Sequence, residues 1–496
     1  MRINLLGRLL AALLLLWSVP SPVSAASLAE KVQTHRLANG LTLLVVERPG
    51  APVFSAYLTI GVGSVHESDS ERGVAHMLEH LMFKGTETIG TRDFQQEKLL
   101  LEAIEQTGEA LDRLRRGQAE DATGIAELEK QLADLQQRQR QLLITDHLAQ
   151  IYARHGGVGF NAFTSRDLTS YTISLPANKL ELWASLESDR MRNSVLREFY
   201  TEREVVREER YQVYDSSPDG LLQESLIAAA FSVHPYRHPI IGWPSDITSL
   251  SPAITRSFME RYYSPVNTII TLVGAVDFSH AVTLVETYFG AMEPGTPVPP
   301  VTVDEPPPRG EKQVTVEFAA EPRLAVAFHK PTLPSPDDYV FDVLSRLLTR
   351  GRTSRLQRVL VQEKRLATSV ASYSTPGYRY DNLFVLRVIP RHPHTVAEVQ
   401  EVLYGELEKL AREPVSPQEL ERVRNRLRVD HLRALQRNAG LARMLSFYQS
   451  ITGDWRYLVD YEEQVAEVTA QDIQRVAAEY LIPRNRTVAI LQKEEN

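Results

Sequence analysis

Gly73-Val74-Ala75-His76-Met77-Leu78-Glu79-His80-Leu81-Met82-Phe83-Lys84-Gly85-Thr86 is the stretch on which the reading of this chain turns. It reads as a helix, and His76 and His80, four residues apart, stack one turn above the other on it. Two imidazoles so placed can grip a single metal ion. Glu79, one residue before the second histidine, is close enough to reach a water in an open coordination position. The bland alternative is a pair of surface histidines on an amphipathic helix.

With 496 residues the chain is long enough for two or more domains with separate cores. Hydrophobic residues at 43% and charged residues at 24% are those of a soluble globular protein, and a net charge of −8 argues against a nucleic-acid surface. The N-terminus has a different character. Arg2 and Arg8 precede an apolar run from Leu9 to Trp17, followed by Pro20, Pro22 and Val23-Ser24-Ala25. That order predicts a secretory signal over residues 1–25, cleaved after Ala25 or Ala26. The run is too short to span a bilayer, and no other stretch suggests a stable membrane span. The chain has no cysteine, which excludes a lipoprotein anchor and fits an oxidising compartment without requiring one. The expectation is an exported protein, periplasmic in the first instance and secreted in the second.

A Pro-rich segment at 292–312, with Pro294, Pro297, Pro299, Pro300 and Pro306-Pro307-Pro308, predicts a linker between a first domain at 26–291 and a second at 313–496. The two look related. Tyr262-x-x-Pro265-x-Asn267 leads into the apolar run Thr268 to Val273, and Tyr480-x-x-Pro483-x-Asn485 leads into Thr487 to Leu491. The starts agree as well: Leu41 to Val46 and Val53 to Ile60 flank Pro49-Gly50 as a strand-turn-strand signal, and Val314 to Phe318 with Leu324 to Phe328 repeats it. Aligning Gly85 with Gly351 sets Asp342, Ser345 and Arg346 opposite His76, Glu79 and His80, so only the first domain carries the metal-binding residue types. Within the first domain, residues 94–152 hold Ile104, Leu111 and Leu114, then Ile125, Leu128, Leu132, Leu135 and Leu142 in steps of three, four and seven. This coiled-coil-like spacing predicts an antiparallel helical hairpin with arms about 35 Å long, either a self-packed protrusion or a docking arm.

A hydrolytic metal site needs a third protein ligand. Thr201 to Glu209 reads as a helix on which Glu202 and Glu209, seven apart, share a face with Val205 and Val206; Glu204 and Glu208 point to an Arg-paired surface. Spacing leaves Glu202 and Glu209 tied. His147, His155, His234 and His238 are read as structural.

Here the sequence resembles a family. The Gly73 to Thr86 stretch, Asn161-Ala162-Phe163-Thr164-x-x-Asp167-x-Thr169-x-Tyr171, the Glu202 to Glu209 helix and His234-Pro235-Tyr236 are similar to the pitrilysin/insulinase zinc peptidases, which carry the inverted H-x-x-E-H motif. The two-domain branch that includes the mitochondrial processing peptidase is the nearest likeness. The resemblance implies an α+β fold of two related domains, each a mainly antiparallel sheet backed by helices, facing across a chamber. It also implies one Zn2+ on His76, His80 and Glu209, Glu202 orienting the site, Glu79 as general base, and Asn161 and Ala162 on an edge strand that takes the peptide substrate. Without the resemblance, Asn161 reads as a turn residue after Gly159.

Two features depart from the family pattern. The hairpin lengthens the interval between His80 and Glu209. Active single-chain members also carry an Arg and a Tyr in the second domain, where this chain has Val361 and Thr368. The expected function is therefore a zinc endopeptidase working as the zinc subunit of a heterodimer whose related partner supplies that pair, with a homodimer as the other assembly. The alternative is a non-enzymatic peptide-binding or assembly scaffold. A structural zinc domain is disfavoured by the absence of cysteine.

Overall fold

The computed structural model describes residues 28–117 and 121–493. The expected signal segment lies outside the described residues. The first half builds a six-stranded sheet from β1 (Val32–Arg36), β2 (Thr42–Glu47), β3 (Val53–Ile60), β4 (Val158–Thr164), β5 (Thr169–Pro176) and β6 (Thr268–Gly274), in the order β1-β2-β6-β3-β5-β4. After a single helical turn at Leu28–Lys31, its helices are α1 (Val74–Leu81), α2 (Phe94–Arg116), α3 (Ala122–Leu142), α4 (His147–Arg154), α5 (Leu180–Asn193), α6 (Phe199–Arg210), α7 (Pro218–Ala230), α8 (Pro244–Ser249), α9 (Pro252–Tyr262) and α10 (Phe278–Phe289).

The second half repeats the plan with β7 (Lys312–Phe318), β8 (Arg323–Lys330), β9 (Ala367–Thr375), β10 (Asn382–Pro390) and β11 (Arg486–Lys493), in the order β7-β11-β8-β10-β9. Its helices are α11 (Asp337–Leu348), α12 (Val396–Arg412), α13 (Pro417–Gln436), α14 (Asn438–Thr452), α15 (Tyr457–Glu467) and α16 (Ala470–Tyr480). Each sheet has one parallel pair, β2 with β6 and β7 with β11, and is otherwise antiparallel. Even the paired sequence motif works the same way twice. Asn267 Nδ2 donates to the Tyr262 carbonyl at 3.1 Å, and Asn485 Nδ2 to that of Tyr480 at 2.8 Å.

The strand-turn-strand readings need one correction. β2 and β3 are both present but are not neighbours, because β6 inserts between them; β11 does the same between β7 and β8. A strand arriving from far along the chain leaves no local signal at the turn it splits.

The central strands are buried on both faces. β6 has no exposed or half-exposed residue, and β3 has only Val53 exposed. One face of the first sheet packs on its own helices, including Met77 and Leu78 of α1, Trp183 of α5 and Phe258 of α9. The opposite face is covered by the second half: Leu441, Ala442, Leu445 and Tyr448 of α14 pack on Leu44, Val46, Tyr57, Ile269 and Val273. The exchange is mutual, since Leu222, Leu226, Ile227 and Ala230 of α7 pack on Ala325, Ala327, Leu383, Val385, Ala489 and Leu491 of the second sheet. The halves therefore interlock through their counterpart helices. Residues 292–311 carry neither helix nor strand but are tied down: Glu305 accepts the N–H groups of Ser232, Val233 and His234 at 2.6, 3.0 and 3.0 Å.

α2 and α3 pack on one another as a helical pair and α4 is a separate helix; residues 118–120 lie outside the described residues. The hairpin is more than a self-packed protrusion. Its first arm lies on α6, with Arg203 forked onto Asp112 at 2.7 and 2.9 Å and the Tyr200 ring over Gly108.

Because two apolar helix faces and not the linker hold the halves together, a cut engineered between Pro308 and Lys312 is expected to leave both fragments in one particle. Size-exclusion chromatography in native buffer checks this, and fragments eluting apart would refute the interlock.

Candidate metal centre

α1 begins where Gly73 sits at φ +85°, a conformation that glycine adopts without strain; a Cβ there would meet the Ile241 carbonyl oxygen at 2.4 Å. The Glu67 carboxylate accepts the N–H groups of Gly73 and Ala75, both at 2.9 Å, and so caps the helix with an acidic group at its positive end. Burial nonetheless pushes the Glu67 carboxyl up to about 8. Val74, Ala75, Met77, Leu78 and Leu81 are inaccessible to solvent and root the helix in the core. That leaves His76, Glu79 and His80 to share what remains of its surface.

α6 carries few apolar side chains, and two buried guanidinium forks hold it. Arg203 binds Asp112 on one side, and Arg210 binds Glu224 at 2.8 and 3.0 Å on the other. Glu202 and Val206 face inward, but Val205 is 46% exposed, so the apolar face read from the sequence is narrower than expected.

Held in this way, α6 separates the two tied carboxylates. Glu209 lies 3.6 Å from His76 Nε2 and 3.2 Å from His80 Nε2, and one ligand atom from each of the three residues lies within 4.8 Å of the others. Around one tetrahedral zinc with bonds of about 2.1 Å, neighbouring donors stand about 3.4 Å apart. The donor set and its spacing therefore fit that ion. Glu202 instead faces the other nitrogen of the second histidine, His80 Nδ1, at 3.4 Å, and it also binds Lys84 Nζ at 2.5 Å. Lys84 reaches Glu198 as well, at 3.3 Å.

The electrostatics follow from these contacts. Burial drives His76 well below the ordinary imidazole range despite the pull of Glu209. Burial also works against a charged His80, but its bonds to Glu202 and Glu209 outweigh it and lift the imidazole to about 9. Burial pushes the Glu79 carboxyl up, while a hydrogen bond from Thr164 Oγ1 at 2.6 Å partly offsets the push.

Thr164 ends β4, the outer strand of the first sheet. Asn161 is exposed and pairs with Thr172, Ala162 is buried and pairs with Tyr171, and among the described residues β4 has no strand on its other side. Asn161 is thus a strand residue and not the turn residue of the simpler reading. Sequence reasoning gave no role to Thr164, Lys84 or Glu67. The first two lay inside quoted motifs, with Lys84 one helical turn past His80; Glu67 acts across a loop and left no periodic signal.

Of the remaining histidines, Gly90 N–H donates to His147 Nδ1 and Tyr236 N–H to His234 Nδ1, both at 3.1 Å. Glu204 pairs with Arg207 at 2.7 Å on the surface. In the second half, Arg346 of α11, opposite His80, pairs with Asp430 of α13, and Tyr461 donates to Asp342, opposite His76, at 3.0 Å. Val361 packs against the second core, and the Thr368 hydroxyl donates to the Ile389 carbonyl at 3.2 Å.

Two family models match most of the chain and meet between residues 243 and 249, ahead of the Pro-rich run. The family described as Insulinase (Peptidase family M16) matches residues 42–111 and 117–243, and the one described as Peptidase M16 inactive domain matches residues 249–427. The zinc protease PqqE of Helicobacter pylori is 27% identical over 96% of this chain and 96% of its own length. A probable mitochondrial-processing peptidase subunit beta of Schizosaccharomyces pombe is 24% identical over 94% of this chain and 92% of its own. A crystal structure of a protease from Helicobacter pylori superposes with a TM-score of 0.78 at 26% identity, covering 93% of this chain and 99% of that one. The chain belongs to the insulinase family of zinc proteases, peptidase family M16.

Proposed function

We propose that the chain is a zinc-dependent endopeptidase for peptides or unfolded segments, with Glu79 as general base. The observation that carries this reading is the convergence of His76, His80 and Glu209 on one point, with the Glu79 carboxyl beside it and raised by burial. When bound there, zinc would polarise the scissile carbonyl and acidify a water. Glu79 takes the proton of the attacking water and delivers it to the leaving amine. Thr164 fixes one Glu79 oxygen through its hydroxyl, leaving the other for the water. Glu202 and Lys84 hold the His80 ring through Nδ1 and keep Nε2 aimed at the centre. The free edge of β4 at Asn161 and Ala162 accepts the substrate as an added strand, which presents one extended bond to the centre.

Val361 has no hydrogen-bond donor in its side chain, and the Thr368 hydroxyl is already given to the Ile389 carbonyl. We assign the stabilising of a developing oxyanion to an Arg/Tyr pair from a related partner subunit; a homodimer is the alternative assembly, but it would repeat Val361 and Thr368 and work without that pair. The order of charged, apolar and small residues at the N-terminus supports export to the periplasm. A peptide-binding scaffold would have no use for this four-residue constellation.

Glu79→Gln is expected to lower kcat about 10²- to 10⁴-fold while zinc remains bound, and chelation to abolish cleavage of an unstructured peptide library. Cleavage that survives both would sink the peptidase reading. Without metal, His80 keeps its proton up to about pH 9. Zinc affinity should therefore rise with pH towards that value, with a proton released on binding at pH 7; calorimetry in buffers of different ionisation heat measures it. The same proton stabilises the metal-free fold fully below pH 6.5, and this contribution is lost as pH rises through about 9. Finally, the isolated chain should cleave about 10²-fold or more slowly than its mixture with a related subunit bearing the Arg/Tyr pair. Equal rates would remove the heterodimer.

A further inference from the structure

Asp167 and Tyr236 belong to motifs quoted from the sequence, yet nothing in the hydrolytic reading uses them. Both are buried, at 1% and 0% exposure. Asp167 lies in the tight turn between β4 and β5, three residues after the threonine that holds Glu79. Its carboxylate accepts the Tyr236 hydroxyl at 2.5 Å and the backbone N–H groups of Tyr378 at 2.6 Å and Arg379 at 3.4 Å. The Tyr236 oxygen accepts N–H groups from Arg379 and Tyr380, both at 3.3 Å. Tyr378 to Tyr380 form the turn between β9 and β10, the counterpart in the second half of the turn that carries Asp167. The two equivalent turns thus meet on one carboxylate and one phenol.

The junction is closely fitted. A Cβ on Gly377 would stand 2.3 Å from the Tyr236 ring, so only glycine lets the second turn approach. Arg379 continues to the Ser450 carbonyl on α14 at 2.9 Å. From the other side, Arg166 fastens the first turn to the carbonyls of Tyr236 and His238 at 3.1 and 3.0 Å.

Two connections lead from this junction to the metal centre. One is Thr164, whose hydroxyl holds Glu79 at 2.6 Å. The other runs through the N–H groups of Ser64 and Val65, which donate to the carbonyls of Ser165 and Arg166 at 3.2 and 2.9 Å, and on to Glu67, the cap of α1. Adhesion between the halves does not require any of this, because the apolar faces of α7 and α14 supply it. A carboxylate taken out of water is costly even when hydrogen-bonded, and what it adds over an apolar contact is fixed geometry.

We propose that Asp167, together with Tyr236, is a positioning residue for the hydrolysis, locking the β4–β5 turn to the second half so that the half without a metal centre sets the placement of Glu79. This rests on the endopeptidase reading above. It commits the second domain to the chemistry of its own chain, in addition to whatever a partner subunit supplies.

The test uses the full-length, zinc-loaded chain as D167N, Y236F, T164V and the double variant D167N/T164V. Measured are kcat and KM on an unstructured peptide, zinc content, thermal stability, and hydrogen exchange at residues 161–165 and 74–80. D167N is expected to lower kcat per zinc-loaded chain about 10- to 100-fold, with KM and zinc content near wild type. Because one of the two connections passes through Thr164, the double variant should fall short of the product of the two single effects. Y236F keeps the carboxylate and removes one hydroxyl, so it reports even if D167N fails to fold, and it should show the same split between kcat and KM. Unchanged kcat per zinc-loaded chain in Y236F and any folded D167N, or multiplying effects in the double variant, overturns the proposal. If the wild type cleaves nothing under any condition, the endopeptidase reading is what fails. Hydrogen exchange then decides the positioning claim alone: faster exchange at residues 161–165 and 74–80 in the variants supports it, and unchanged exchange overturns it.

Discussion

Two buried guanidinium forks, Arg203 on Asp112 and Arg210 on Glu224, are the contacts on which the metal centre depends. The helix between them is too polar to be seated by an apolar stripe, and its inward face offers little beyond Phe199, Tyr200 and Val206. Ion pairs with two neighbouring elements therefore fix its rotation, and that rotation decides which glutamate meets the imidazoles. Removing one partner of such a pair leaves an uncompensated buried charge, a loss of about 3–5 kcal/mol. The same anchoring explains how a long inserted hairpin can sit between His80 and Glu209 in the chain without driving them apart, since its first arm supplies one of the two anchors.

The second half shows what the same geometry becomes without a metal. α11 and α13 stand where α1 and α6 stand in the first half, and Arg346 with Asp430 bridges them directly. A permanently charged guanidinium and a carboxylate can tie two helices together, but they offer no open coordination position for a water. One half keeps a site able to exchange ligands, while the other keeps only a cross-link.

Features governed by local spacing could be read from the sequence. His76, Glu79 and His80 fall on one face because a helix repeats every 3.6 residues, and the Leu135 and Ile104 series marked the hairpin for the same reason. Features decided by distant parts of the chain could not. Glu202 and Glu209 are equivalent in spacing and are told apart only by Asp112, Glu224 and the direction of the His80 ring. Val205 looked buried because its neighbour is. β2 and β3 looked adjacent because the strand between them is supplied by residues 268–274. Asp167 and Tyr236 were visible as letters in a motif, but their partners are main-chain amides, to which no side-chain pattern points.

The crossing of α7 and α14 changes what counts as a unit of this protein. Leu44, Val46, Tyr57, Ile269 and Val273 form an apolar wall that α14 of the second half covers, and Ala325, Ala327, Leu383 and Val385 form one that α7 of the first half covers. A gene truncated at the Pro-rich run would thus encode an unfinished sandwich, its bare sheet open to aggregation or to capture by a copy of itself. The proline run is a tether between two halves that each cover the other's sheet.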